Sequence, residues 1–177
     1  MARTAKEIAE MIDRLQQYYA AISTTLLMLN NDDLLRSLHA TGHEKGSTIR
    51  LGRKDNSHYE NINMWDSIQA VKGNSAFNLD FLRSQLMIIM SWVGHELSSN
   101  KYICKTPELE FFRHLRNGIS HGNTFKLLNG EPHQPATFKA FEVTSALNGK
   151  QVLFEFMSPG DLFDLFDHVK GHLRTLS

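Results

Sequence analysis

Thr106-Pro107-Glu108-Leu109-Glu110-Phe111-Phe112-Arg113-His114-Leu115-Arg116-Asn117-Gly118-Ile119-Ser120-His121-Gly122 is the stretch on which the reading of this chain turns. Its two ends punctuate a helix. Thr106 is an N-cap residue, Pro107 fits the first helical position, and Glu108 and Glu110 favour the positive end of the dipole. Gly122 can adopt the left-handed conformation that stops a helix. Between them lies an apolar helical stretch that ends in chemistry. Arg116 carries a permanent cation whose fork of donors matches phosphate. His121, after four intervening residues, can exchange a proton near neutral pH. Asn117 stands beside the arginine. Together these groups could hold a phosphodiester and move a proton without a metal.

The spacing sets a geometric condition. Five steps of about 100° put Arg116 and His121 roughly 140° apart on an undistorted helix. Either the helix ends or bends near Gly118, or the site is wide and shared with a second copy. A plainer reading is also available: Arg116 complements the dipole near a helix C-terminus and His121 caps its last carbonyls.

The rest of the chain reads as helices around this one. In residues 4–29, Ile8, Met11, Ile12, Leu15, Tyr18, Tyr19, Ile22, Leu26 and Leu29 recur at three- and four-residue steps, the pattern of a long helix. Asn30 to Asp33 can end it and cap a short helix through Leu34, Leu35 and Leu38. Residues 42–63 are polar and glycine-bearing and read as a long loop, with a short extended piece at 47–51. A turn or two of helix carries Trp65, Ile68 and Val71. Residues 78–99 carry a broad stripe of Leu79, Leu82, Leu86, Ile89, Met90, Val93 and Leu97, with Asn78 as its cap. Over 124–156 the period changes to two. Asn148-Gly149 signals a tight turn between 137–145 and 151–156, hence a β-hairpin at 136–157. Ser158-Pro159-Gly160-Asp161 opens the last helix as a capping box, with Leu162, Phe163, Leu165, Phe166, Val169 and Leu173 on its inner face. The expected fold is mainly α, a four-to-five-helix bundle with a β-hairpin inserted before the last helix, as a single domain over 1–177. The hairpin's aromatic residues need a surface to cover, and the bundle offers one.

Composition narrows the function. The chain has 177 residues, 41% hydrophobic, with 19 basic and 19 acidic side chains. A broad electrostatic footprint for long nucleic acid is therefore unsupported, while a local phosphate site is compatible. Cys104 is the only cysteine, and no apolar run reaches membrane-spanning length, so a cytoplasmic, reducing setting is expected. No phosphate-cradling glycine loop and no esterase elbow occurs.

Arg116-Asn117-Gly118-Ile119-Ser120-His121 resembles the signature of the HEPN superfamily (higher eukaryotes and prokaryotes nucleotide-binding): Arg, a polar residue, and His after four to six positions, late in a helical bundle. The resemblance implies a HEPN-like fold. It also implies a metal-independent endoribonuclease, without cofactor, of a prokaryotic defence or toxin type. Such a protein acts as a homodimer whose two motifs share one cleft, and a neutralising partner protein is possible. The implied reaction is attack of the RNA 2′-hydroxyl on the adjacent phosphorus, leaving a 2′,3′-cyclic phosphate. His121 would transfer protons and Arg116 would stabilise charge on the phosphate. Asn117 would orient His121 or touch the phosphate. Some toxins of that family carry a modifiable Tyr two residues after the His; Asn123 stands there. The alternative is a non-catalytic helical module binding RNA, a nucleotide or a partner protein. Arg113 on the motif helix and Glu96 on 78–99 are candidate lining residues of the same cleft. A metal site at His39, His43 and Glu44 is disfavoured, because Gly42 interrupts the helix. Arg50, Arg53, Lys54, His58 and Tyr59 form a basic, aromatic-bearing segment able to contact RNA, although a mobile surface loop of mixed charge is the commoner origin of such a segment.

Overall fold

The computed structural model describes residues 2–40, 46–55, 57–103, 106–128 and 131–176. His43, Glu44 and Cys104 lie outside them. The order of elements is α1 (Ala5–Met28), α2 (Asp32–Ala40), β1 (Thr48–Gly52), β2 (Tyr59–Asn63), α3 (Met64–Val71), α4 (Ser75–Ser99), α5 (Pro107–Ser120), β3 (Thr137–Phe138), β4 (Phe141–Glu142) and α6 (Pro159–Thr175). The architecture is mainly helical. None of the described helices is long and apolar enough to cross a membrane. Within the chain, contacts gather into two compact units, Met1–Tyr18 with Ser84–Ser177, and Tyr19–Arg83.

The first unit holds the motif. Its core is built from Ile8 and Ile12 of α1, Leu86, Ile89, Met90, Val93 and Leu97 of α4, Phe111, Phe112 and Leu115 of α5, and Leu162, Leu165, Phe166 and Val169 of α6. Helices α1, α5 and α6 each start on a side-chain cap that satisfies an orphan amide. Thr4 Oγ1 accepts from Glu7 N at 3.3 Å while Glu7 Oε2 accepts from Thr4 N at 2.7 Å. Thr106 caps α5 as expected, with Pro107 in the first turn. Ser158 and Asp161 form the reciprocal box at α6. Lys170 Nζ, on α6, donates to Asp13 at 2.7 Å and to Gln16 at 2.6 Å, tying α6 to α1.

The expected hairpin at 136–157 is corrected. β3 and β4 pair only over Thr137–Glu142, around a two-residue turn at Lys139-Ala140 with Lys139 at φ 51°. The segment 151–153 does not pair with 137–145. It turns back to the chain leaving α5: Val152 N donates to Asn123 O at 3.0 Å, and Thr124 bridges Gln151. The cause is in the turn residues. Gly149 N donates to Phe125 O and Asn148 Oδ1 accepts from Leu127 N, so Asn148-Gly149 serves a different neighbour. The aromatics do cover the bundle. The Phe111 ring of α5 sits 6.0–6.4 Å from the rings of Phe138, Phe141 and Phe156.

The helix expected from Asn78 starts three residues earlier. Asn74 Oδ1 accepts from Phe77 N at 3.0 Å, and Asn78 N already bonds to Asn74 O. Leu79, expected in the buried stripe, is 49% exposed.

In the second unit the extended piece expected at 47–51 is β1, and the loop expected after it is corrected in one respect: β2 pairs antiparallel with β1, from Thr48↔Asn63 to Gly52↔Tyr59. Every residue of β1 and all but Asn63 of β2 are exposed, so no buried face betrays the pairing to a hydrophobicity pattern. Arg50 lies over the Tyr59 ring at 5.0 Å.

Candidate functional site

Two features of backbone and packing set where the motif side chains go. α5 runs unbroken through Gly118 to Ser120, so the helix does not end at that glycine. Gly118 is instead demanded by packing, because a Cβ there would stand 2.5 Å from Val152 Cγ2. Gly94 of α4 plays the same part towards the arginine. A Cβ at Gly94 would meet Arg116 Cγ at 2.4 Å. The absence of a side chain at Gly94 is what lets the Arg116 stem lie against α4.

Arg116 reaches a cleft of about 430 Å³ lined by Gly94, Ser98, Lys101, Ile103, Arg113, Arg116 and Asn117. Among the described residues no acidic side chain lines it. Arg116 NH1 donates to Asn117 Oδ1 at 3.2 Å, its Nε is buried with no acceptor, and among the described residues it has no carboxylate partner. Lys101 adds a second cation. It follows α4 with φ 62°, a conformation that costs a lysine energy and that glycine takes freely. Tyr102 N donates to Leu97 O at 2.9 Å and Lys101 N to Ser98 O at 3.1 Å, a helix stop that usually employs glycine.

Arg113 shares the cleft but its charge is engaged. Its NH2 lies 2.6 Å from Glu110 Oε1 and 3.5 Å from Glu131 Oε1. The Arg113 hydrogen bond holds the Glu110 carboxyl below its usual range. Arg113 NH2 also stands 2.9 Å from His114 Nε2. A guanidinium can only donate, so Nε2 accepts and the buried imidazole is neutral. Burial lowers the pKa of His114 first, and the Arg113 charge adds to it.

His121 is placed apart from this cleft. It caps the C-terminus of α5, with its own N–H on Asn117 O and Gly118 O. Its side chain is exposed, does not line the cleft, and makes no hydrogen bond or ion pair among the described residues. Gly122 and Asn123 follow with φ 79° and 62°, ending the helix as expected at Gly122. Asn123 clamps the returning chain, since Nδ2 donates to Leu153 O at 3.1 Å and Oδ1 accepts from Leu153 N at 2.9 Å. Glu96, expected near the cleft, is bound elsewhere. Its Oε1 pairs with Arg3 NH1 at 2.8 Å and accepts from Trp92 Nε1 at 3.4 Å.

Of the five predicted residues, Arg116, Asn117 and Arg113 come together, while His121 and Glu96 stand outside. Lys101, Ser98 and the Glu110–Arg113–His114–Glu131 cluster are not evident in the sequence. A lysine directly after a helix end, where glycine is usual, is the one available signal for Lys101.

No family model matches this chain, and no curated protein or solved structure matches it either.

Proposed function

We propose that the protein is a HEPN-like endoribonuclease of defence or toxin type that works without metal and only as a homodimer. The Arg116 cleft grips a phosphate, and His121 of the partner subunit moves the proton. The observation that carries this reading is the pairing, among the described residues, of a guanidinium without a carboxylate partner, in a cleft that no acidic side chain lines, with an exposed imidazole just over one turn further along the same helix. Two charge-assisted donors, Arg116 and Lys101, suit a phosphodiester. Asn117 orients the Arg116 fork through their mutual hydrogen bond. Because His121 does not line the cleft of its own chain, the proton-transfer partner comes from the second copy across a two-fold axis.

In the reaction, imidazole Nε2 or Nδ1 takes the 2′-hydroxyl proton as the 2′-oxygen attacks phosphorus. The bond to the 5′-oxygen breaks, and the imidazolium passes the proton it took to that oxygen, which leaves as a hydroxyl. Arg116 offsets the charge growing on the non-bridging oxygens. RNA cleavage in EDTA tests this. Wild type should give 2′,3′-cyclic phosphate ends, and Arg116→Ala and His121→Ala should each abolish them while keeping the wild-type circular dichroism. Full activity in either variant would refute the assignment.

The position of His121 outside the cleft favours a second reading, a phosphate-binding module without catalysis. On that reading the purified chain binds RNA through Arg116 and Lys101 and yields no cyclic-phosphate product.

A further inference from the structure

α1 and α4 leave a groove between them that the motif does not use. Arg3, just before α1, donates its backbone N–H to Asn100 Oδ1 at 2.7 Å and pairs with Glu96 at 2.8 Å. The start of α1 is thus tied to the end of α4, and the two helices run in opposite directions along the groove. Its volume is about 590 Å³, the size of a small-molecule site. Buried Met11 and Ile89 line it together with Leu15, Tyr18, Ile88 and Trp92. Tyr18, Ile88 and Trp92 are 54%, 55% and 46% exposed, so much of this apolar lining faces water. Trp92 Nε1 donates to Glu96 Oε1 at 3.4 Å, which engages the polar edge of the ring.

The charges of the lining are unequal. Arg3 is neutralised by Glu96. Arg14 is exposed and, among the described residues, makes no hydrogen bond or ion pair. Its neighbour Asp13 is taken by Lys170 and Arg174 of α6. Among the described residues no acidic side chain lines the groove. Arg14 follows Met11 by three residues and precedes Tyr18 by four, which sets its guanidinium on the face of α1 that borders the groove.

We infer that this groove binds a small carboxylate with an unbranched apolar tail, its head on Arg14 and its tail along Leu15, Ile88 and Trp92. One cation without a partner matches one negative charge, and the guanidinium fork matches a carboxylate. The shape selects the tail. On α1 the lining runs from Met11 to Tyr18 and on α4 from Gln85 to Trp92, about 10 Å along each axis at 1.5 Å per residue. A protein partner needs roughly 800 Å² on its side of a stable contact, more than a run of two turns closed at one end by the Arg3–Glu96 pair provides. The inference stands apart from the nuclease reading, since neither Arg116 nor His121 lines the groove.

The experiment is isothermal titration calorimetry of the whole chain at neutral pH with octanoate, decanoate, 1-octanol and octylamine. Burying a methylene is worth about four-fold in affinity when complete. In a half-open groove decanoate should bind about four- to fifteen-fold tighter than octanoate. Octanoate should bind about three- to ten-fold tighter than 1-octanol, and octylamine, a cation at this pH, weaker than either. Arg14→Gln should erase the advantage of octanoate and leave 1-octanol unchanged. Ile88→Glu places a carboxylate in the groove and should remove binding of both acids. Both side chains are mostly in water, so the circular dichroism of each variant should match wild type. No binding of decanoate at millimolar concentration, equal affinity for octanoate and 1-octanol, or binding untouched by Arg14→Gln and Ile88→Glu overturns the inference. So does a groove that takes a helical peptide with one acidic and one apolar face but no decanoate, which would give it to a protein partner.

Discussion

Gly94→Ala tests how closely α4 and α5 approach at the cleft. The added Cβ would fall 2.4 Å from Arg116 Cγ, 3.2 Å from Cδ and 3.3 Å from Cβ. Carbon atoms rest at about 3.5–4.0 Å, so Cγ must move by roughly 1 Å. Cγ sits too near the backbone to swing freely. Either χ1 of Arg116 changes and the guanidinium leaves the cleft, or the two helices part. Overpacking of this kind costs about 1–3 kcal/mol. Replacing a helical glycine with alanine returns about 0.5–1 kcal/mol. The net expectation is a loss of about 0–2.5 kcal/mol in urea unfolding, with RNA binding by fluorescence anisotropy falling towards that of Arg116→Ala. Gly171→Ala in α6 is the control. Its Cβ meets nothing within 4 Å, so the same change there should stabilise by about 0.5–1 kcal/mol. Arg116→Ala in the Gly94→Ala background removes Cγ and Cδ and should recover part of the lost stability, a positive coupling between neighbours. If Gly94→Ala is stabilised as much as Gly171→Ala and binds RNA like wild type, the close approach that positions Arg116 is refuted.

Other perturbations read other parts of the structure. Lys101→Gly should stabilise by about 0.5–1 kcal/mol by relieving φ 62°, yet weaken RNA binding; unchanged affinity would remove Lys101 from the site. Gly118→Ala should destabilise by about 1–3 kcal/mol through its clash with Val152, and adding Val152→Ala should cost less than the two single changes summed. Ser158→Ala breaks the box in which Ser158 Oγ donates to Asp161 Oδ2 at 2.6 Å and accepts from Asp161 N, at about 1 kcal/mol; no change in midpoint would contradict the cap. His114 is buried neutral, with its pKa lowered from 6.5. The unfolded chain therefore binds the proton first, and stability should fall as pH drops below about 6.5. Glu110, Glu131, Arg113 and His133 face or influence it. Denaturant melts should show that loss reduced in His114→Gln, and an unaltered pH slope would exclude the histidine as its source.

What is legible in the sequence is what local chemistry decides. Thr106-Pro107, Ser158-Pro159 and Gly122 mark helix ends because capping needs only neighbours within one turn. Asn78 misleads because Asn74, preceded by Gly73 at φ 72°, offers the same cap one turn earlier. The pairing of 151–153 with 123–125 is hidden because register depends on a partner distant in the chain. Asn148-Gly149 signals a turn without naming the strands it joins. At the site, the roughly 140° separation of Arg116 from His121 rightly warns that one helix does not aim both at one point. That Glu131 holds Arg113 is not readable, since the two meet only through tertiary packing.

The nuclease reading stands or falls on Arg116 of one copy acting with His121 of the other. The decisive experiment mixes inactive Arg116→Ala with inactive His121→Ala and allows the subunits to exchange. Each mixed dimer then holds one intact pair. Cleavage in EDTA should return to about a quarter of the wild-type rate at equal mixing. No recovery, in a mixture shown to exchange subunits, would rule out a site shared between two copies.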